Sequence, residues 1–353
     1  MKPEKPMLIP EDREFDSPPG DLYSVQKRGF IEILLYYKEV QISMEISLHS
    51  NQKHEALSYY LRVLRDVIMS PHTPFRRLYY VDLYCGDGEC EIKRTSEKYE
   101  PPLFASVLKP AKEGKFNVSC FLNDIEQEKI NKISQKTKEY SEFIAGVYCD
   151  DANGECLKAI LGQIPADQIS FFFLDPTNHK DLKWETIKQI TRHTCSYIDK
   201  SGNQKIRRPE MMINCMVYSM MNCYRAHDYK SITESLGTDE WLKIIHQHKQ
   251  EESYVFKVFL EVFIEQLKKL GYCVPSPIPI KSTKAENDIY YLVWATNEPG
   301  YKIIVEKILP YLQKHVSKRQ KQNKAKLKKV EAVEQARKCG DMDINRWLHS
   351  SNI

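Results

Sequence analysis

No apolar run in the 353-residue sequence reaches the roughly 18 residues that a membrane-spanning helix needs. The opening Met1-Lys2-Pro3-Glu4-Lys5-Pro6 lacks the basic-then-apolar order of a signal peptide. The expectation from both absences is a soluble, cytoplasmic protein. The ten cysteines are scattered and none forms a C-x-x-C pair, which argues against a zinc ribbon or a dithiol redox motif. Acids are missing from Lys314 to Lys329, where eight bases fall: Lys314, Lys318, Arg319, Lys321, Lys324, Lys326, Lys328 and Lys329. Removing those eight from a net charge of +4 leaves −4 for the remainder, so basicity is a local feature of this chain.

What is present is ordinary for a folded protein: 42% hydrophobic and 28% charged residues. The length allows one large α/β domain with additions, or two small domains. Residues 1–49 divide into a weakly ordered arm with prolines at 3, 6, 10, 18 and 19, and an apolar cluster around Phe30 to Tyr37 whose period fits helix and strand alike. From Ser50 to Met69, Ala56, Leu57, Tyr60, Leu61, Leu64, Val67 and Ile68 recur at threes and fours. That spacing predicts an amphipathic helix, stopped by Ser70-Pro71 and placed to close an edge or face of the sheet that follows.

Strand and helix then alternate. Strands are expected at about 78–84, 116–122, 144–149, 169–174 and 211–215, with helices near 102–109, 126–140, Cys156 to Leu161 and Trp184 to Ile190. Short, fully apolar strands alternating with helices mean a parallel sheet covered on both faces. Helices are expected near 239–249 and 252–270. The two runs up to Ile280 and from Ile289 to Ala295 are joined by a linker too short for a helical crossover, so that pair should be antiparallel.

The stretch Leu78-Tyr79-Tyr80-Val81-Asp82-Leu83-Tyr84-Cys85-Gly86-Asp87-Gly88 organises the rest. Gly86 and Gly88 permit a sharp turn and close approach of a flat ligand. Asp82, set in an apolar strand, either anchors the turn or meets an amine or hydroxyl. Asp82, Asp124, Asp151 and Asp175 each fall near the end of a successive strand, and in open α/β sheets the ligand crevice lies at the carboxyl edge. Cys85 and Cys90 flank the turn, as reactive thiols or as packing residues.

The D-x-x-x-G-x-G pattern resembles the S-adenosylmethionine (SAM) turn of class I methyltransferases. A terminal antiparallel pair distinguishes that fold, a mostly parallel seven-stranded α/β sheet with helices on both faces, from the all-parallel NAD-binding sheet. The chain also resembles the three-Cys-motif partner proteins (TcmP), a bacterial methyltransferase-like family. The matching pieces are Lys53-His54, Val81 to Gly88, Asp150-Asp151-Ala152-Asn153, Phe171 to Pro176 ahead of Trp184, Met212-Ile213-Asn214, and Tyr291 to Thr296. They cover about residues 50 to 310 in order. Two pieces depart from the family: Glu100-Pro101-Pro102-Leu103 replaces Gly-Ser-Pro-Leu, and Thr177-Asn178 follows Asp175-Pro176 in place of an aromatic and a glycine.

The resemblance implies a methyltransferase-like domain over 50–313, with SAM as cofactor. Gly86 and Gly88 then approach the donor, Asp82 meets its amino-acid end, Asp124 its ribose and Asp151 its adenine amine. Asp124 and Asp151 serve equally well as helix caps. Asp175 and Pro176 stand at the acceptor nitrogen, as the acid-proline pair of amino-methyltransferases does. The basic tail, 314–353, with Lys318, Arg319, Lys321, Lys324 and Lys328, is a candidate grip on nucleic-acid phosphates, and Arg207 and Arg208 are candidates to extend it. An operon-encoded partner protein is the other expected associate. The reaction expected is methylation of a nitrogen in DNA or RNA; the alternative is a non-catalytic SAM-fold subunit that supports its partner.

Overall fold

The computed structural model describes residues 53–70, 73–92, 97–198, 201–247, 251–281 and 288–311. The N-terminal arm and the basic tail, including Lys318, Arg319, Lys321, Lys324 and Lys328, lie outside the described residues.

Helix α1 (53–68) leads into strand β1 (Leu78–Asp82). A small hairpin, β2 (Cys90–Ile92) with β3 (Glu97–Tyr99), occupies the insert after the glycine turn. A helical stretch α2 (Leu103–Leu108, wound as a π-helix, continuing through Lys109–Lys112) leads to β4 (Val118–Asp124) and α3 (Gln127–Lys136). Then come β5 (Ile144–Cys149), α4 (Glu155–Gln163), β6 (Ile169–Leu174) and α5 (Trp184–Arg192). A second hairpin, β7 (Cys195–Ile198) with β8 (Gln204–Arg207), precedes β9 (Glu210–Cys215). Four helices follow: α6 (Val217–Arg225), α7 (Tyr229–Leu236), α8 (Glu240–Gln247) and α9 (Glu252–Lys269). The described chain closes with β10 (Ile278–Lys281), β11 (Asp288–Ala295), α10 (Glu298–Ile303) and one further helical turn.

The seven-stranded sheet runs β10-β11-β9-β6-β1-β4-β5. Strands β1, β4, β5, β6 and β9 pair in parallel, and β11 is antiparallel to both its neighbours. Chain order moves outward from β1 through β4 to β5, then returns to β6 on the other side. The topological switch therefore lies at β1, beyond whose carboxyl end an open α/β sheet binds its ligand. The antiparallel β11 excludes the all-parallel arrangement of an NAD-binding sheet, and the strand order is that of class I methyltransferases.

Two apolar layers cover the sheet, and period-two alternation assigns each side chain to one of them. Leu78, Tyr80, Phe171, Phe173, Met212 and Trp294 face α1 and α2. Val81, Phe172, Leu174, Ile213 and Val293 face α4 through α9. Carried to the strand ends, the same parity puts Asp82, Asp124, Asp175 and Asn214 on the α1 face. Both hairpins and the pair α6–α7 go beyond the strand–helix alternation that the sequence predicts. Each is short, and its apolar residues pack against elements distant in sequence, so local periodicity is weak there. Among the described residues no helix is long and apolar enough to cross a membrane.

Candidate functional site

A cavity of about 190 Å³ opens at the carboxyl rim of β1 and β6. Its wall includes Lys53, His54, Asp82, Tyr84, Gly86, Gly88 and Asp175. Residues far apart in sequence meet here because parallel strands deliver their ends to one edge and α1 descends over the same face.

The two glycines of the turn differ in what requires them. Both hold positive φ, +64° at Gly86 and +69° at Gly88, where a side chain is strained. A Cβ at Gly86 would meet nothing within 4 Å, which leaves open surface on the backbone. At Gly88 it would stand 2.4 Å from Ile133 Cδ1, so packing against α3 alone accounts for that glycine.

Asp82 is buried, and its Oδ1 accepts the Tyr84 N–H at 3.1 Å while Oδ2 accepts the Tyr80 hydroxyl at 3.3 Å. It thus anchors the turn while still lining the cavity. Burial pushes its carboxyl up to about 7; the Tyr84 N–H works against that shift and the Asp175 charge adds to it. Asp124 bridges β4 to the turn: Oδ2 accepts the Gly86 N–H at 3.1 Å and Oδ1 the Glu126 N–H at 3.0 Å. Its Oδ1 also faces the Lys129 ammonium at 3.8 Å, and Oδ2 keeps a second lone pair. Asp151 sits in the exposed loop after β5, outside the cavity wall, and its Oδ1 accepts from the Asn153 N–H and Nδ2 at 2.9 and 2.8 Å.

Asp175 follows β6 directly. Its Oδ1 accepts from Asn214 Nδ2 at 2.9 Å, and its Oδ2 forms an ion pair with the ammonium of Lys53. Both partners are almost wholly buried, and the Lys53 ammonium also lies 5.9 Å from the centre of the Tyr290 ring. Among the described residues the Asn214 Oδ1 has no hydrogen-bond partner. Sequence reasoning left out both Lys53 and Asn214 as site residues. A signal for Lys53 existed: it lies four residues before Leu57 and seven before Tyr60, so it falls on the apolar stripe of α1, where a lysine needs a partner.

His54 presents Nδ1 to the Tyr99 hydroxyl at 3.1 Å and the Cys90 thiol at 3.4 Å, tying α1 to the β2–β3 hairpin. Burial, then the Lys53 charge, lowers its imidazole to about 3, so it is neutral at physiological pH. Burial also raises Cys90 to about 11 and Cys85 well above its ordinary value, so both thiols rest protonated. Neither is a resting nucleophile. His179, in the loop after β6, is buried between Ser219 Oγ at 2.8 Å and Ser231 Oγ at 3.2 Å, because α6 and α7 fold over it. The departure at Thr177-Asn178 has a local role. Asn178 caps the next turn through the Lys180 N–H, and Asp181 returns a carboxylate to the Asn178 N–H. Arg207 and Arg208 lie at the opposite edge of the sheet from this cavity.

No family model matches the sequence, and no curated protein sequence matches it. Solved structures overlap it weakly. A DszA carbon methyltransferase is 14% identical over 67% of this chain, with a TM-score of 0.35, and the chain spans about half (51%) of that protein. Fibrillarin from Aeropyrum pernix, with natively bound S-adenosyl-L-methionine, is 10% identical over 67% of this chain and 73% of its own, TM-score 0.32. An rRNA methylase from Streptococcus thermophilus is 13% identical over 69% and 93%, TM-score 0.29. The class rests on the strand order: this is a class I methyltransferase fold.

Two outcomes follow from the site's electrostatics. The unfolded Asp82 carboxyl titrates near 3.9, and the folded one near 7. Its contribution to stability is therefore full below about pH 4 and is lost as pH rises through about 7. Asp82→Asn carries no such charge, so its stability relative to the parent should improve steadily from pH 4 to pH 8 in urea unfolding; a constant difference contradicts this. Lys53→Met alone leaves the partly buried Asp175 carboxylate without its cation and should cost about 1–3 kcal/mol. Adding Asp175→Asn should restore most of that loss in the same assay, whereas additive losses would deny the coupling.

Proposed function

We propose that the protein is a SAM-dependent methyltransferase that acts on a nitrogen of nucleic acid. The observation that carries this reading is the convergence of Asp82, Gly86 and Asp175 on one cavity at the topological switch point. The donor set fits the cofactor: open backbone at Gly86, a buried acid at Asp82 for an ammonium, and a spare lone pair on Asp124 Oδ2 for a hydroxyl. At about 190 Å³ the cavity is below the 300–1,000 Å³ usual for small-molecule sites, so its wall has to yield on binding.

When bound, SAM supplies a methyl group on a sulfonium, ready for in-line displacement. The protein's own residues hold and align. Asp82 meets the amino-acid end and is kept ionised by the cation it binds. Asp124 accepts from the ribose, and Asp151 is the candidate for the adenine amine. Asp175 already accepts from an ammonium and an amide, both N–H donors, so an N–H-bearing acceptor suits it chemically. Such an acceptor takes the place of Lys53 on Oδ2, and the carboxylate then receives the proton that the methylated nitrogen sheds. Pro176 is buried and has no N–H to donate to neighbouring carbonyls.

Kinship with the three-Cys-motif partner proteins belongs to the same proposal. It is supported by the meeting of Lys53-His54, the glycine turn and Asp175 in one cavity. Nucleic-acid contact is assigned to the basic segment with Lys318, Arg319, Lys321, Lys324 and Lys328, and a partner protein encoded nearby remains part of the reading.

Calorimetric titration with SAM, then transfer of labelled methyl to DNA and RNA, tests the whole. The expected result is one SAM per chain, binding weakened at least about tenfold by Gly86→Val, and transfer lost in Asp175→Asn with SAM still bound. Binding without transfer to either nucleic acid would instead make the chain a SAM-fold binding subunit, and absence of binding would end the reading altogether.

A further inference from the structure

A larger cavity, about 620 Å³, lies at the amino edge of the same sheet, where β6 and β9 begin. That volume is within the range of small-molecule sites. Its wall is mainly apolar and aromatic, with Val63 and Leu64 from α1, Phe75 ahead of β1, and Tyr197 from the β7–β8 hairpin.

The polar groups around it are unevenly satisfied. Glu210 Oε2 accepts the Tyr60 hydroxyl at 2.7 Å and the Thr296 hydroxyl at 2.6 Å, and its Oε1 accepts from Asn297 Nδ2 at 3.4 Å. Asn297 in turn accepts the Arg208 N–H at 3.1 Å and donates to the Arg208 carbonyl at 2.9 Å. The acid and the amide are therefore used internally. The guanidiniums are not. Arg207 lies over Phe75 at 5.4 Å and over Tyr197 at 5.2 Å, and among the described residues its only side-chain hydrogen bond is from Nε to the Tyr197 hydroxyl at 3.1 Å. The Arg208 guanidinium packs against Gly271, and among the described residues it donates only to that carbonyl, at 3.5 Å. Among the described residues neither arginine is paired with a carboxylate. Each guanidinium carries five N–H donors, so the unmet capacity of this cavity is cationic and its walls are apolar.

We propose that this cavity binds a small organic anion with an apolar body, its acidic group held by Arg207 and Arg208 and its body against Phe75, Tyr197 and Leu64. The site is separate from the rim cavity and does not depend on the methyl-transfer reading. Helix α1 lines both, with Lys53 in the one and Tyr60 in the other.

Fluorescence titration of the full chain with anilinonaphthalene sulfonate tests the proposal, with neutral phenylnaphthylamine as the uncharged probe. One saturable sulfonate site per chain is expected, weakened at least about fivefold by Arg207→Gln and by Arg208→Gln, the loss of a charge-assisted contact. Binding of the neutral probe should be unchanged in both variants, and Leu64→Trp, which fills the cavity, should abolish binding of both probes. Displacement by phenylacetate or by phenyl phosphate identifies a carboxylate or phosphate head. Sulfonate affinity unaffected by either arginine variant, the absence of a saturable site, or displacement by neither competitor would overturn the assignment. The arginine variants carry the test should Leu64→Trp fail to fold.

Discussion

The largely buried ion pair between Lys53 and Asp175 is the contact on which the arrangement of the rim depends. A carboxylate one residue beyond an apolar strand has to be compensated, and the compensation comes from the first described turn of α1, more than a hundred residues earlier. Asn214 on the neighbouring strand takes the second oxygen. The pair therefore ties α1, β6 and β9 together at the edge where β1 delivers Asp82 and the glycine turn. Removing a charge from such a pair is costly, because what remains is an ion partly withdrawn from water without its partner.

One helix and one sheet define two cavities at opposite ends of the same strands. At the carboxyl end the strands supply acids, and at the amino end the last residue of β8 and the turn after it supply Arg207 and Arg208. Along β9 alone, Glu210 and Asn214 lie on the same face, one at each end; Tyr60 of α1 donates to Glu210, while Lys53 of α1 and Asn214 share the carboxylate of Asp175. The two sites thus differ in charge by construction: acid-rich where a cationic cofactor suits, cation-rich where an anion suits.

Much of the architecture was legible in the amino-acid pattern because the strands are fully apolar and sharply bounded. Ile169 to Leu174 reads as a strand and is one, and the short linker between Ile280 and Ile289 predicts the antiparallel pair that is observed. What was illegible is what tertiary contacts create. The β2–β3 and β7–β8 hairpins are too short for periodicity to register, and α6 with α7 takes its stability from α9 and the buried His179. At the site, the succession of acids at strand ends was visible. The partners were harder to see, since Lys53 and Asn214 matter through contacts across the sheet and not through local spacing. Nor does a motif tell its two glycines apart: Gly86 leaves open surface, while Gly88 is required by Ile133.

The most direct test of the central claim is a crystal of the protein soaked with S-adenosylhomocysteine. The account predicts density against the Gly86 backbone, with the amino-acid end at Asp82 and the ribose toward Asp124. Density confined to another part of the molecule, with Lys53, Asp82 and Asp175 undisturbed, would contradict it.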